Sequence, residues 1–235
     1  VCNILGIELD EDSLRSASCT GAGVLQEKNL RLGDTLNART FAMAEKAGLP
    51  LMTICSTCQG VMSQANQRLV SDPEYLASIN EDLKEEGLEY KGTIDPKHLL
   101  WIIVEDLGME FFRSKVVRKL EGLKLAPFYG CYIVRPTDAL GFDKNPERET
   151  SLEAVIEAVG AEVVDFPGKT LCCGFPILTI NPKNSVKMVA NHTIDAKDRG
   201  ADAMVTPCPL CHLNLDGYQP NASSAAKRDI DLPII

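Results

Sequence analysis

Five cysteines in the second half of this 235-residue chain have the residue types and spacing of metal ligands. Cys131 ends the run Tyr129-Gly130-Cys131. Cys172 and Cys173 are adjacent and followed by Gly174, and Cys208 and Cys211 bracket Pro209-Leu210. A vicinal pair and a CxxC are poor disulfide geometry, whereas thiolates on short loops are what iron–sulfur clusters take. Two neighbouring sulfurs reach one cluster only around a sharp bend, which Gly174 permits. Scattered structural cysteines would not need this arrangement, and CxxC spacing points to metal or redox chemistry.

The first half echoes the second. Cys55-Ser56-Thr57-Cys58 is a CxxC, and Ser18-Cys19 stands where a pair would be. From Cys19 to Cys55 is 36 positions and from Cys173 to Cys208 is 35. At an offset of 154, Ile4-Leu5-Gly6-Ile7-Glu8 aligns with Ala158-Val159-Gly160-Ala161-Glu162, Cys19 with Cys173 and Ser18 with Cys172. This is a two-fold internal repeat. The counterpart of Cys131 would precede Val1, so a further strand and cysteine are expected outside this sequence. Cys2 aligns with Ile156 and reads as a small apolar residue.

A lone cysteine, then Cys-Cys-Gly, then CxxC, with a degenerate copy in the first half, resembles the CCG domain, and most nearly the B subunit of heterodisulfide reductase and its bacterial and archaeal relatives. Tyr129-Gly130-Cys131, Leu171-Cys172-Cys173-Gly174 and Pro207-Cys208-Pro209-Leu210-Cys211-His212 look like that family's second motif. Ala17-Ser18-Cys19-Thr20-Gly21-Ala22-Gly23-Val24 and Ile54-Cys55-Ser56-Thr57-Cys58 look like its first, with one cysteine replaced. The resemblance implies two tandem pseudo-symmetric CCG domains, each a small Rossmann-like parallel sheet with flanking helices. It also implies a noncubane [4Fe–4S] cluster on Cys131, Cys172, Cys173, Cys208 and Cys211, where a disulfide is cleaved or formed or a thiol or sulfane-sulfur carrier is handled. The implied partners are a ferredoxin-like iron–sulfur subunit, a flavin-binding subunit and a thiol or disulfide substrate or carrier protein. A CCG subunit that relays electrons in an unusual, quinone-linked succinate dehydrogenase is the alternative.

A cubane needs four thiolates, one per iron, so a fifth must bridge or force another arrangement. The first site has Cys19, Cys55, Cys58 and one cysteine expected upstream, which suits a [4Fe–4S] cluster or tetrahedral zinc. Ser18 reads as a loop residue bonding to backbone. His212 follows Cys211 and is open to a proton or packing role, whereas His98 and His192 fall within helical patterns and read as structural. Arg135 and Lys187 could meet an anionic substrate or simply be solvated. Gly33, Gly60 and Gly87 form no phosphate-binding fingerprint.

A net charge of −9 argues against nucleic acid, whose phosphates need clustered Lys and Arg. The longest apolar run, Leu99–Val104, is too short for a membrane span. Nine cysteines in ligand-like patterns suit a reducing, cytoplasmic setting.

The elements that must position these loops read as α/β. Helices are expected over Asn29–Ala47, Leu152–Val159 and Asn184–Arg199, and strands over Leu51–Ile54, Leu125–Tyr129, Ala161–Asp165 and Ala203–Thr206. Cys211 should lie in the first turn of a helix. Between the copies a helical insert is expected over 73–120: Pro73–Glu86, a helix opened by Asp95-Pro96, and Phe111–Leu120. The first domain is then 1–120 and the second 121–235. Helices alternating with strands imply parallel pairing, with ligands at the strands' carboxyl ends.

Overall fold

The computed structural model describes residues 1–10, 12–20 and 23–235. In the first half, Leu30–Ala47 forms α1, where Asn29 caps the start by accepting from the Leu32 N–H at 3.1 Å. Gly48 ends it in the left-handed conformation. The chain then crosses β1 (Met52–Thr53), α2 (Ser56–Ser71) and α3 (Pro73–Leu83), and returns in β2 (Lys97–His98), parallel to β1. The three helices are joined by a fully buried carboxylate. Asp34 on α1 takes both arms of Arg68 on α2, at 2.6 and 2.9 Å, and the phenol of Tyr75 on α3.

The second half is built on β3 (Lys124–Pro127), which lies between β4 (Glu162–Val163) and β5 (Ala203–Val205), all parallel. Helix α4 (Ser151–Ala158) connects β3 to β4, and α5 (Pro182–Asp198) connects β4 to β5. After β5 come α6 (Pro209–Gly217) and α7 (Gln219–Ala226), and Ile234 then bridges in parallel to Met204. Alternate residues around β3 face opposite layers. Leu125 and Tyr129 pack with Leu152 and Ile156 of α4, whereas Ala126 and Phe128 pack with Val189 and Ala190 of α5. The order β4-β3-β5 reverses direction between β3 and β5, and this is where open α/β sheets leave a crevice at their carboxyl ends. Cys131 follows β3 and Cys208 follows β5, so the topology delivers both to that crevice.

The tandem α/β architecture is as expected, with strands two to four residues long. The segment 73–120 differs from a purely helical insert. No helix starts at Asp95-Pro96, because the Pro96 carbonyl accepts from Gln59 Nε2 at 2.6 Å and the Lys97 N–H donates to the Leu51 carbonyl at 3.0 Å. Those bonds hold the backbone extended as β2, and helix begins only at Leu99. Helix α3 and β2 follow the first CxxC as α7 and the Ile234 bridge follow the second, so 73–98 parallels 219–235. The last helix of this segment covers only Met109–Ser114, and Val117 beyond it is fully exposed.

Candidate functional site

Each cysteine loop is shaped by a local requirement. Gly130 has φ +72°, and a β-carbon there would lie 2.9 Å from Cys211 Sγ, so a side chain at residue 130 would be strained and would push the Cys211 sulfur aside. Gly174 has φ +95° and presses on the Ser185 backbone of α5, which turns the chain immediately after Cys173. The N–H groups of Tyr129 and Gly130 both donate to the Lys169 carbonyl, at 2.8 and 3.2 Å, tying the Cys131 loop to the Cys172-Cys173 loop. Cys208 caps the start of α6 and Cys211 lies in its first turn, as expected.

Cys131, Cys172, Cys173, Cys208 and Cys211 line one cavity, together with Ser56, Thr57, Tyr129, Tyr132, Phe175, Pro176 and Leu210. Cys173, Cys208 and Cys211 are buried, whereas Cys131 and Cys172 are half-buried. The first-half cysteines join them. Cys19 lies within hydrogen-bond reach of Cys58, Cys58 of Cys55, and Cys55 of Cys208. Cys208 reaches Cys211, Cys211 reaches Cys173, Cys173 reaches Cys172, and Cys172 reaches Cys131. Eight sulfurs thus form one continuous path along which the two cysteine sets touch at Cys55 and Cys208. The Cys19–Cys58 contact has the same place in its half as Cys173–Cys211, in keeping with the repeat register. Ser18 is exposed and Cys2 half-buried.

Protons are unevenly held along this path. Contacts with Cys131 and then Cys173 hold the Cys172 thiol well below its ordinary value, helped by the Gly174 N–H at 3.4 Å. Cys211 and Cys55 do the same to Cys208, helped by the Thr57 hydroxyl at 3.6 Å. Their partners are pushed up: Cys131 first by Cys172, Cys55 first by Cys208, and Cys211 first by Cys173. Cys173, next to Cys211 on the path, is pushed up as well, first by Cys172, so lowered and raised thiols are interleaved without strict alternation, and a metal binding here must displace protons.

The donor chemistry fits an iron–sulfur group, since the cavity walls carry five thiols and no imidazole or carboxylate. The space between the sulfurs is about 10 Å³, room for roughly one water. Among the described residues, no three His, Cys, Asp or Glu side chains are arranged around a point that a single ion could occupy.

A supporting shell holds the loop backbones. His192 on α5 donates from Nε2 to the Cys172 carbonyl at 2.9 Å. Asn214 on α6, fully buried, donates from Nδ2 to the Cys173 carbonyl at 2.8 Å. His98 accepts the Leu100 N–H on Nδ1 at 3.1 Å, so Nε2 carries its proton and donates to the Pro207 carbonyl at 3.2 Å. That carbonyl also accepts from the N–H and hydroxyl of Ser56, at 3.2 and 3.0 Å. The two CxxC loops, one from each half, therefore meet at Pro207. The helical pattern placed His192 correctly, but His98 lies at the end of β2, and both histidines clamp cysteine loops. Their partners lie 20 and 109 residues away, beyond any local signal. Asn214 was legible in principle: a polar residue three positions after Cys211 shares its helix face. His212 is exposed.

Residues 1–63 and 125–216 match the family model CCG, described as a cysteine-rich domain. The chain belongs to the CCG family. The second matched stretch opens at β3, the strand that leads to Cys131. This CCG chain is 36% identical over 235 residues to the 8-methylmenaquinol:fumarate reductase membrane anchor subunit of Wolinella succinogenes, covering 100% of the chain and 80% of that relative. It is 31% identical over 232 residues to the B subunit of the ferredoxin/F(420)H(2)-dependent CoB-CoM heterodisulfide reductase of Methanosarcina acetivorans, covering 97% of the chain and 77% of the relative. A protein of Archaeoglobus profundus named for its likeness to the B subunit of heterodisulfide reductase is 29% identical, with 98% and 78% covered. Among solved structures, that of a hypothetical protein from Helicobacter pylori superposes with a TM-score of 0.66 at 18% identity. That likeness shows the fold, and the chain spans 44% of that structure's length while 97% of the chain is covered. No helix among the described residues is long and apolar enough to cross a membrane.

Proposed function

We propose that this chain is the sulfur-handling subunit of a heterodisulfide-reductase-like complex, holding a noncubane [4Fe–4S] cluster on Cys131, Cys172, Cys173, Cys208 and Cys211. The observation that carries the reading is the gathering of five thiols from three separate loops on one cavity at the sheet's switch point. Relatives named as the B subunit of heterodisulfide reductase, matched over most of the chain, support the same reaction class. When bound, such a cluster supplies single electrons and an iron open to sulfur. The chain's own residues do the rest. The Cys172 and Cys208 thiolates are the acidic positions that shed protons first, the Gly174 N–H and Thr57 hydroxyl stabilise their charge, and His192 and Asn214 fix the vicinal pair's backbone. In net terms, a disulfide takes two electrons and two protons to give two thiols, the electrons coming from iron–sulfur and flavin-binding partner subunits in the cytoplasm. Cys19, Cys55 and Cys58 hold a second [4Fe–4S] cluster or zinc, which passes electrons or is structural.

A second reading, electron relay in a quinone-linked fumarate reductase or succinate dehydrogenase, is favoured by the likeness to the Wolinella succinogenes subunit. Metal and sulfide analysis of the purified protein, with electron paramagnetic resonance of the Cys173→Ala variant, tests the first. About four irons per five-cysteine site are expected, and loss of Cys173 should change the type of spectrum rather than only its intensity. Zinc alone, or a Cys131–Cys172 disulfide, overturns the reading. A reduced protein that is oxidised by quinone analogues but never by disulfides selects the relay.

A further inference from the structure

The cysteine cavity shares a wall with a groove. Outside Cys131 lies an open groove of about 570 Å³ bounded by Gln64, Cys131, Tyr132, Arg135, Thr137 and Asp138, with Pro136. Cys131 and Tyr132 are the residues common to the cavity and the groove.

Tyr132 is seated by the other half of the molecule. A β-carbon on Gly60 of α2 would lie 2.3 Å from the Tyr132 carbonyl oxygen and 2.8 Å from its ring. One on Gly23 would lie 2.1 Å from the phenol oxygen. Both positions must lack a side chain for the ring to sit there, and the side chain of Gln26 lies beside the phenol. The ring's place beside Cys131 is thereby set by the first half.

Arg135 stands at the exposed rim, and its Nη2 donates to the Thr170 carbonyl, two residues before Cys172. A guanidinium has five donors, so this bond leaves most of them available to a ligand at the rim. Gln64 donates to the Gly60 carbonyl at 3.0 Å. The opposing carboxylate, Asp138, accepts from Gln67 Nε2 at 3.1 Å.

We propose that this groove binds the non-reacting end of the sulfur substrate, that Tyr132 is the wall that positions its sulfur beside Cys131, and that Arg135 selects a small thiol or disulfide bearing a negative charge. The inference rests on the reading of the cavity as a sulfur-reactive centre. Neither residue is assigned a bond-making role; both position.

The test uses the full chain with its bound metal. Mercaptoacetate, 2-mercaptoethanol and cysteamine are similar in size and carry negative, zero and positive charge. Their half-saturating concentrations are read from the visible and electron paramagnetic resonance changes they cause. The wild type should prefer mercaptoacetate to cysteamine, and Arg135→Gln should lower that ratio by about tenfold, as for a charge in a cleft, while Arg135→Lys keeps most of it. Added salt should lower it too. A ratio unchanged within twofold in Arg135→Gln overturns the selection. Tyr132→Phe should keep the wall, whereas Tyr132→Ala should let bulky glutathione half-saturate at several-fold lower concentration; no change in Tyr132→Ala overturns the wall. If the protein carries no iron, the parent reading has failed. The groove is then judged by alkylation of Cys131, where Arg135→Gln should lower the iodoacetate-to-iodoacetamide rate ratio about tenfold, and an unchanged ratio overturns it.

Discussion

His98 makes the linkage between fold and cysteine loop measurable through pH. It is 3% exposed, and both ring nitrogens are committed: Nδ1 accepts from Leu100 and Nε2 donates to Pro207. A second ring proton would point at the Leu100 N–H in a site closed to solvent. Burial therefore pushes the pKa down to about 4, against the Pro207 carbonyl and the charge of Cys208, which favour the cation but lose. In the unfolded chain the imidazole takes its proton near pH 6.5. As pH falls from about 6.5 to about 4, the unfolded state binds the proton and the folded state does not, so stability falls through that window. Above it, His98 imposes no titration penalty. At 1.36 kcal/mol per pH unit, the loss is about 2 kcal/mol at pH 5 and about 3 kcal/mol once the window is crossed. Urea unfolding of the wild type and His98→Gln at pH 7.5 and 5.0, in one metal state, gives the assay. Glutamine can donate and accept but does not titrate, and the double difference cancels contributions from the thiols and His192. The wild-type midpoint should drop by about 1 M more than the variant's between the two pH values. Equal drops would show that His98 is not held neutral, and that the Pro207 clamp is not built on a buried imidazole.

Other substitutions probe the remaining supports. Asn214→Ala removes the donor to the Cys173 carbonyl and should cost about 2 kcal/mol in chemical denaturation. It should also speed metal loss to a chelator, which a packing defect elsewhere would not. Arg148→Met strands Glu105, since Arg148 is 9% exposed, bonds Glu105 at 2.6 and 3.0 Å and lies over the Trp101 ring at 4.1 Å. Lys97 still reaches Glu105 at 2.8 Å, so a loss of about 3 kcal/mol is expected rather than more. Cys58→Ala should slow electron delivery or destabilise the fold, whereas Cys173→Ala should abolish turnover with an artificial one-electron donor. Survival of turnover without Cys173 but not without Cys58 reverses those roles.

The parts of this molecule legible in its sequence are those with local causes. Asn29 and Gly48 bound α1 because a cap and a left-handed stop are written at the residues themselves. The CxxC before α6 was legible because a strand feeding a helix leaves its first turn at the crevice. Asp95-Pro96 misled because the helix-start signal there is overruled by Gln59, 37 residues earlier, and by pairing with β1. The partners of His98 and His192 were hidden for the same reason. The closeness of Tyr132 to Gly23 and Gly60 was also hidden, since it depends on how one half lies against the other. The cysteines themselves could be named, but not that their two sets would touch.

That contact changes how the asymmetry between the halves should be read. A first site with at most four thiolates, set apart from a five-thiolate site, would invite separate roles for two separate groups. Here Cys55 lies within reach of Cys208, and the loops behind them are fastened at one carbonyl by Ser56 from the first half and His98 from β2. A displacement of either CxxC loop is therefore felt by both cysteine sets. Cys55 as well as Cys211 holds the pKa of the Cys208 thiol down, so removing the first-half thiol should raise that of Cys208 in the second half. Repeats in which each copy contributes one wall of a shared centre gain this coupling from topology alone: parallel sheets place their carboxyl ends, and thus their cysteine loops, where the two copies face. Loss of the pair's leading cysteine at Ser18 is tolerable in such an arrangement, because Ser18 is exposed at the far end of the sulfur path, while the thiols that touch across the halves are retained.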